Sequence, residues 1–236
     1  MLRMHAVNQF YGPRQILRDI HLELPHGQCT CLLGRNGVGK TTLINCIMGH
    51  VPVSSGSVTW QLRGEEAQDL LAHPAEARAS LGIGYVPQGR QVFSQLSVEE
   101  NLHVALLAGR NHTRQVPEMV HDLFPFLYAM RQQRAGELTA GQQQQLAIAR
   151  ALMPKPELLI LDEPTGGLLP AAAQAFGDIL RRMQHDFGLT LLLVEQQLPF
   201  GVHTGDRYCL LEGGRNVAQG SLDEQDNALI QSYLAS

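Results

Sequence analysis

The chain has 236 residues, a formal net charge of −4 and 44% hydrophobic residues. This length and composition predict a globular unit with a buried core, and no stretch approaches the roughly 20 apolar residues that span a bilayer. The negative net charge and the lack of any basic run argue against a protein that binds nucleic acid through a basic surface. We therefore expect a soluble, cytosolic protein. The four cysteines form no C-x-x-C pair, and Cys29 and Cys31, two positions apart on a predicted strand, are interpreted as small core residues.

The first part of the chain predicts an antiparallel β-sheet. Residues 2–27 contain short segments in which polar and apolar residues alternate, such as HLEL at 21–24. Alternation of this kind is typical of strands that have one face in the core and one face in solvent.

A phosphate-binding loop is predicted at residues 34–41, which read GRNGVGKT. Its glycines allow a tight turn that brings backbone N–H groups close to an anion, Lys40 supplies a charge for the β- and γ-phosphates, and the Thr41 hydroxyl can bind Mg²⁺. The apolar run at 28–33 predicts a buried strand before the loop, and Thr42–Met48 predicts a helix whose N-terminus faces the phosphates. The residues assigned to nucleotide binding here are Gly34, Arg35, Asn36, Gly37, Val38, Gly39, Lys40, Thr41 and Thr42.

Three further apolar runs predict buried parallel strands. They cover residues 83–86, 158–161 and 191–194, and none of them alternates with polar residues. Continuous apolar runs are typical of strands buried on both faces. Ligand sites in parallel sheets lie beyond the carboxyl ends of the strands, so the residues that follow these runs are candidates for one site. They are Gln88, Asp162, Glu163, Glu195 and Gln196.

The segment from about residue 97 to residue 153 predicts a helical insertion between two of these strands. Ser97 is expected to cap the first helix. Residues 119–130 predict a second helix, interrupted by Pro125. Residues 142–153 predict a third helix with one apolar face.

Two further motifs carry a resemblance to a known family. Residues 138–142 read LTAGQ, and residues 158–165 read LLILDEPT. Together with the phosphate loop, and in this order, they resemble the ATP-binding subunits of ABC transporters over essentially the whole chain. The resemblance implies an α/β fold of the P-loop NTPase (RecA-like) type, with a mainly parallel sheet core, an N-terminal antiparallel β subdomain and a helical insertion. It also implies that residues 1–236 form a single ABC ATPase domain.

The resemblance implies an ATPase that uses ATP and Mg²⁺. Glu163 would polarise the attacking water, Gln88 would contact Mg²⁺ and the water, and Tyr11 matches the aromatic residue that stacks on adenine. Gln196 occupies the switch position, at which most relatives carry histidine. Glutamine can exchange hydrogen bonds with a γ-phosphate but cannot become a cation. The implied Mg²⁺ ligands are Thr41, Gln88 and Asp162.

The LTAGQ segment implies a dimer. It would begin a helix whose positive end points at a γ-phosphate, and in the family that phosphate is bound by the other subunit. Two chains would thus meet head to tail around two ATP molecules, and the second is either a copy of this chain or a related ATPase. Ala140 replaces the commoner glycine, and Leu169 stands where many relatives carry aspartate. The signature residues are Leu138, Thr139, Ala140, Gly141 and Gln142.

The resemblance extends to the importers for urea and branched-chain amino acids. Segments 9–20, 30–43, 85–93 and 141–152 resemble the ATPase of the urea importer, and the branched-chain amino-acid importer is the alternative. The resemblance implies two transmembrane permease subunits that dock near Gln88–Ser97, with a periplasmic binding protein as an indirect partner. It implies no nucleic acid, and it places the chain peripherally on the inner face of the cell membrane.

Three other interpretations have distinguishing features. A soluble ABC ATPase of DNA repair or translation usually carries two ATPase units or a long coiled-coil insertion, and this chain has one unit and no heptad run. A P-loop kinase or GTPase would lack LTAGQ. A binding module without catalysis is disfavoured by the presence of Lys40, Asp162 and Glu163.

Overall fold

The computed structural model describes residues 1–89, 91–107, 115–196, 200, 204–222 and 230. Within this part of the chain, the strands are β1 Leu2–Tyr11, β2 Arg14–Leu24, β3 Cys29–Leu33, β4 Ser55–Trp60, β5 Gln68–Asp69, β6 Ile83–Val86, β7 Leu158–Asp162, β8 Thr190–Glu195, β9 Arg207–Glu212 and β10 Arg215–Ser221. The α-helices are α1 Lys40–Met48, α2 Ala77–Ser80, α3 Val98–Leu106, α4 Glu118–Leu123, α5 Phe126–Ala129, α6 Ala140–Leu152 and α7 Pro170–His185.

The larger sheet has six strands in the order β10-β9-β3-β8-β7-β6. The strands β3, β8, β7 and β6 pair in parallel, and β9 pairs in parallel with β3. Every residue of β3, β7 and β8 is buried. The prediction that the four apolar runs form a parallel sheet is confirmed, and the carboxyl ends of these strands lie along one edge.

The smaller sheet is antiparallel and has the order β2-β1-β4-β5. This confirms the antiparallel sheet that the alternating N-terminal segments predict. Leu2, Leu22 and Trp60 on its inner face pack into a core shared with α1. The smaller sheet therefore covers the helix that follows the phosphate loop.

Two apolar cores lie on the opposite faces of β3. Cys29 and Cys31 point into the core that holds the helical region and α7, whereas Leu32 points into the core that holds α1 and the smaller sheet. All four cysteines are free and buried, which confirms the interpretation of Cys29 and Cys31 as core residues. Because neighbouring residues of a strand point to opposite faces, both cores hold β3 and fix the start of the phosphate loop.

The helical region between β6 and β7 contains α3 to α6. The hydroxyl of Ser97 accepts from the Glu100 N–H at 3.1 Å, and the Glu100 carboxylate accepts from the Ser97 N–H at 2.7 Å, so α3 begins with a capping box. The α4 helix ends at Leu123 and α5 begins at Phe126, which confirms the break at Pro125. Among the described residues, no helix has the length and apolar character needed to cross a bilayer.

Candidate functional site

The phosphate loop lies between β3 and α1, as the sequence predicts. Gly39 is the residue before α1 and has a φ of 110°. Because this left-handed backbone at Gly39 starts the helix directly after it, α1 begins at Lys40 rather than at the predicted Thr42. The N-terminus of α1 therefore points into the loop, where its unpaired N–H groups can bind an anion.

Glycine is required at the first position of the loop. Gly34 has a φ of 153°, and a Cβ atom there would lie 2.5 Å from the carbonyl oxygen of Leu211. A side chain at this position would push the loop away from β9. The residues Arg35, Asn36 and Gly37 that follow are exposed, so the loop opens to solvent on the side where a nucleotide would bind.

Lys40 is the buried cation of the loop. Its Nζ donates to the carbonyl oxygens of Gly34 at 2.6 Å and Arg35 at 3.0 Å. It also lies 3.9 Å from a carboxylate oxygen of Glu163. Burial lowers the pKa of Lys40, and the charges of Glu163 and Asp162 act in the opposite direction. The ammonium group is thus desolvated and held inside the phosphate loop by the loop's own carbonyl oxygens.

Glu163 is held by three side chains from different parts of the chain. Gln88 Nε2 donates to its Oε2 at 2.9 Å, Gln196 Nε2 donates to its Oε1, and Lys40 approaches the same Oε1. Its own backbone has a φ of 47°, which is uncommon for a residue with a side chain. Three of the residues predicted to serve catalysis, Gln88, Glu163 and Gln196, are therefore brought together with the loop lysine.

Asp162 is the last residue of β7 and is 5% exposed. Burial, and next the charge of Glu163, raise its pKa to about 6, whereas the charge of Lys40 lowers it. A buried carboxylate is a strong ligand for a hard divalent ion. The oxygen-bearing side chains of Thr41, Gln88 and Asp162 are of the types that Mg²⁺ prefers.

Asp162→Asn is expected to stabilise the nucleotide-free protein at pH 7.5. The pKa of this acid is higher in the folded chain, about 6, than its ordinary value of 3.8. The folded state therefore loses stability as the pH rises from about 4 to about 6, and the whole penalty is present above that range. A shift of this size corresponds to about 2–3 kcal/mol, so we expect the midpoint of thermal unfolding to rise by roughly 5 °C.

Thermal unfolding at pH 7.5 and at pH 4 tests this expectation. At pH 4 the difference between Asp162→Asn and the parent chain should become small, because Asp162 is then protonated in the folded state. Asp178→Asn is the matched control, because Asp178 is exposed and pairs with Arg181 on the surface of α7. A variant Asp162→Asn that unfolds below the parent at pH 7.5 would contradict the proposed burial penalty.

Tyr11 is the last residue of β1, and its side chain is exposed at 49%. The chain turns immediately after it, at Gly12, which has a φ of 56°. An exposed aromatic ring at a strand end can stack on a base, so the assignment of Tyr11 to adenine remains a prediction.

The signature residues lie at the start of α6. Thr139 caps the helix: its hydroxyl accepts from the Gln142 N–H at 3.3 Å, and its own N–H donates to the Gln142 side chain at 2.9 Å. Because Thr139 is the cap, α6 begins at Ala140 rather than at the predicted Gln142. Leu138 is buried, whereas Thr139 and Ala140 are exposed. Within the described ranges, no hydrogen bond or ion pair joins these residues to the phosphate loop.

A cavity of about 430 Å³ lies between β6 and the helices α3 and α6. Pro87 lines it just before Gln88, Gln91 lines it just after Gln88, and Arg150 lines it from α6. Arg150 donates to the Gln91 carbonyl oxygen at 2.7 Å, and its guanidinium Cζ lies 4.4 Å from the ring centroid of Phe93. The segment after Gln88 is thus attached to the helix that carries the signature.

Two buried polar residues near the site have no specific function assigned by the sequence: Asn101 is not a candidate, and Glu195 is a strand-end candidate without a named role. Asn101 is fully buried and binds the backbone of Phe93 through both its amide oxygen and its amide nitrogen. Glu195 is buried at the end of β8 and binds Thr165. Glu195 carries the same sequence signal as Asp162, an acid directly after an apolar run. Asn101 carries no local signal, because its partners are set by the tertiary fold.

Comparison with known proteins agrees with this arrangement. A family model described as ABC transporter matches residues 17–166. The high-affinity branched-chain amino acid transport ATP-binding protein BraG of Pseudomonas aeruginosa is 39% identical, over 92% of this chain and 91% of the relative. The probable branched-chain amino acid transport ATP-binding protein LivF of Archaeoglobus fulgidus is 37% identical, over 95% of this chain and 93% of the relative.

The fold agrees with that of solved ATP-binding cassettes. The ADP conformation of MJ1267, an ATP-binding cassette of an ABC transporter, superposes with a TM-score of 0.82 at 26% identity, over 100% of this chain and 95% of that chain. The α/β fold of the P-loop NTPase (RecA-like) type, which the family resemblance implies, is thereby confirmed. The family match and the identity to full-length relatives show the family, and the grouping of Lys40 with Glu163 agrees with it. The chain belongs to the ABC transporter family and is one of its ATP-binding, ATP-hydrolysing subunits.

Proposed function

We propose that this chain energises an ABC importer of the branched-chain amino-acid type. The observation that carries the proposal is the identity to BraG and LivF over nearly the full length of the chain. The grouping of Lys40, Gln88 and Gln196 around one carboxylate, Glu163, supports the ATP hydrolysis that would drive import. Both amides reach that carboxylate from loops that follow parallel strands. When a γ-phosphate binds beside Glu163, both the loop that carries Gln88 and the loop that carries Gln196 can therefore change their contacts.

In the proposed reaction, Glu163 accepts a proton from the attacking water as it approaches the γ-phosphate. Lys40 neutralises the β- and γ-phosphates, and the N–H groups at the start of α1 bind them. Gln196 exchanges its hydrogen bond with Glu163 for one with the γ-phosphate. Mg²⁺, held by Thr41, Gln88 and Asp162, would supply charge neutralisation.

The proposed active unit is a dimer. The signature residues Leu138–Gln142 begin a helix of 13 residues and, in the part of the chain that the structure describes, form no bond with the phosphate loop. Ala140 is an exposed residue at the first position of α6, so the N–H groups of this helix end can bind a phosphate on a second subunit. The second subunit is a copy of this chain or a related ATPase.

The proposed membrane partners are two permease subunits. The cavity beside Gln91 and Arg150 is a site where a permease loop could contact the segment after Gln88. Such a contact would place this chain at the inner face of the cell membrane, with a periplasmic binding protein delivering the transported molecule on the other side. The helical region of about residues 97–153 would then move as a unit of the single ATPase domain.

Two transported molecules are candidates. The names of BraG and LivF specify branched-chain amino acids for those proteins, and their identity over nearly the full length favours the same class here. Urea is the second candidate, favoured by the sequence resemblance of segments 9–20, 30–43, 85–93 and 141–152 to the urea importer ATPase. The transported molecule contacts other subunits, so only a transport measurement separates the two.

The test is uptake of labelled leucine and labelled urea. The chain would be expressed with the permease and binding-protein subunits encoded beside its gene, in cells that lack their own importers for both molecules. We expect leucine uptake that is lost when the chain carries Glu163→Gln. Uptake of urea alone would select the second candidate. The importer role itself would be contradicted by a chain that supports uptake of neither molecule and does not co-purify with permease subunits.

A further inference from the structure

The acid at the end of β8 is buried and is not used by the reaction described above. Glu195 is 2% exposed. Its Oε1 accepts two hydrogen bonds from Thr165, one from the backbone N–H at 3.2 Å and one from the hydroxyl at 2.7 Å. Thr165 is itself 3% exposed. A buried carboxylate at a strand end is costly unless it is well bonded, so its partners indicate its role.

Glu195 lies next to the two strand ends that carry the catalytic residues Glu163 and Gln196. Burial raises its pKa, the hydrogen bonds from Thr165 and from the Gln196 backbone lower it, and the charge of Glu163 raises it. Glu195 is directly followed by Gln196, and Thr165 stands two positions after Glu163. The hydrogen bonds between Glu195 and Thr165 therefore connect the strand end that carries Gln196 to the turn that carries Glu163.

These contacts close a ring. Gln196 Nε2 donates to the Glu163 carboxylate, and the backbone leads from Glu163 to Thr165. Thr165 donates to Glu195, and the peptide bond between Glu195 and Gln196 completes the ring. We propose that Glu195 is a positioning residue that fixes Glu163 and Gln196 relative to each other through its hydrogen bonds with Thr165. Small displacements of a catalytic group reduce turnover strongly.

The same turn leads to the exposed residue that precedes α7. The Thr165 carbonyl oxygen accepts from the Leu168 N–H at 3.0 Å, and the Glu163 carbonyl oxygen accepts from the Gly166 N–H at 3.1 Å. Leu169, the next residue, is 77% exposed and precedes α7. Glu195 thus holds both the catalytic carboxylate and the start of the segment that reaches Leu169.

The test is steady-state ATP hydrolysis by the full chain, with ATP binding measured in parallel. Glu195→Ala and Thr165→Val are each expected to lower kcat about tenfold while the Kd for ATP changes less than threefold. Because both remove one shared contact, the double variant should also lose about tenfold rather than the product of about a hundredfold. Thr165→Ser keeps the hydroxyl and should retain most of kcat.

A matched control separates positioning from general stability. Gln184 is buried at the opposite end of the sheet, where its amide donates to Asp206 and to the Gly27 carbonyl oxygen. Gln184→Ala should lower the unfolding temperature by an amount similar to Glu195→Ala and leave kcat unchanged. If Glu195→Ala does not fold, the pair Thr165→Val and Thr165→Ser decides the question.

Three results would overturn the proposal. They are a kcat for Glu195→Ala within twofold of the parent, a double variant in which the two losses multiply, and a kcat for Thr165→Ser as low as that of Thr165→Val. The inference rests on ATP hydrolysis and not on the transported molecule. A chain that hydrolyses ATP but imports neither leucine nor urea would therefore contradict the proposed function and leave this inference standing.

Discussion

Glu163→Gln is expected to lower the kcat of ATP hydrolysis by about 100- to 1,000-fold and to leave ATP binding within about threefold of the parent. The amide cannot accept the proton of the attacking water, whereas its shape and hydrogen-bonding reach are almost unchanged. One carboxylate oxygen accepts from Gln88 and the other from Gln196. An amide has a single acceptor oxygen, so one of these glutamines must turn its own amide to remain paired. This rearrangement is local and leaves Lys40 in the loop.

Two measurements test Glu163→Gln. Phosphate release under single-turnover and steady-state conditions gives kcat, and equilibrium binding gives the affinity for ATP. Glu118→Gln is the matched control, because it makes the same change at an exposed position at the start of α4. The control should hydrolyse ATP at the parent rate. If Glu163→Gln retained kcat within threefold, the base assignment would be wrong, and the contacts to Gln88 and Gln196 would need another explanation.

The parallel core of the fold follows from the sequence for a physical reason. The runs that became β3, β7 and β8 lack any polar alternation because both of their faces are buried. The polar residues directly after them fall at one edge of the sheet, since parallel strands share a direction. For this reason the sequence alone predicts that Glu163 and Gln196 belong to one site.

Other features depend on contacts that no local pattern encodes. The run Tyr208–Leu211 in β9 is too short to distinguish a strand from a buried helix turn, and it was not predicted. The edge strand β10 is mostly polar and forms by pairing with β9. Likewise the hydrogen bond from Gln88 to Glu163 joins residues 75 positions apart. A contact between residues so far apart in the sequence depends on the packing of the whole sheet.

Lys40→Ala is expected to weaken ATP binding by about 100-fold, which corresponds to roughly 2.7 kcal/mol. The Lys40 ammonium lies 3.9 Å from a carboxylate oxygen of Glu163, and it is buried in the loop proposed to bind the phosphates. Without it, a polyphosphate would face the carboxylates of Asp162 and Glu163 with only the backbone N–H groups of α1 to bind it. Hydrolysis should fall as well, because the nucleotide would no longer be held in place.

Titration of a fluorescent ATP analogue in the presence of Mg²⁺ measures the affinity, and thermal unfolding shows whether the variant remains folded. The chain has one other lysine, Lys155, which is exposed, so Lys155→Ala removes the same charge away from the site and should bind ATP like the parent. Burial lowers the pKa of Lys40, which means that the folded chain is penalised for holding this cation. We therefore expect Lys40→Ala to fold, and a folded Lys40→Ala that binds ATP within threefold of the parent would refute the role of Lys40 as the phosphate-binding cation.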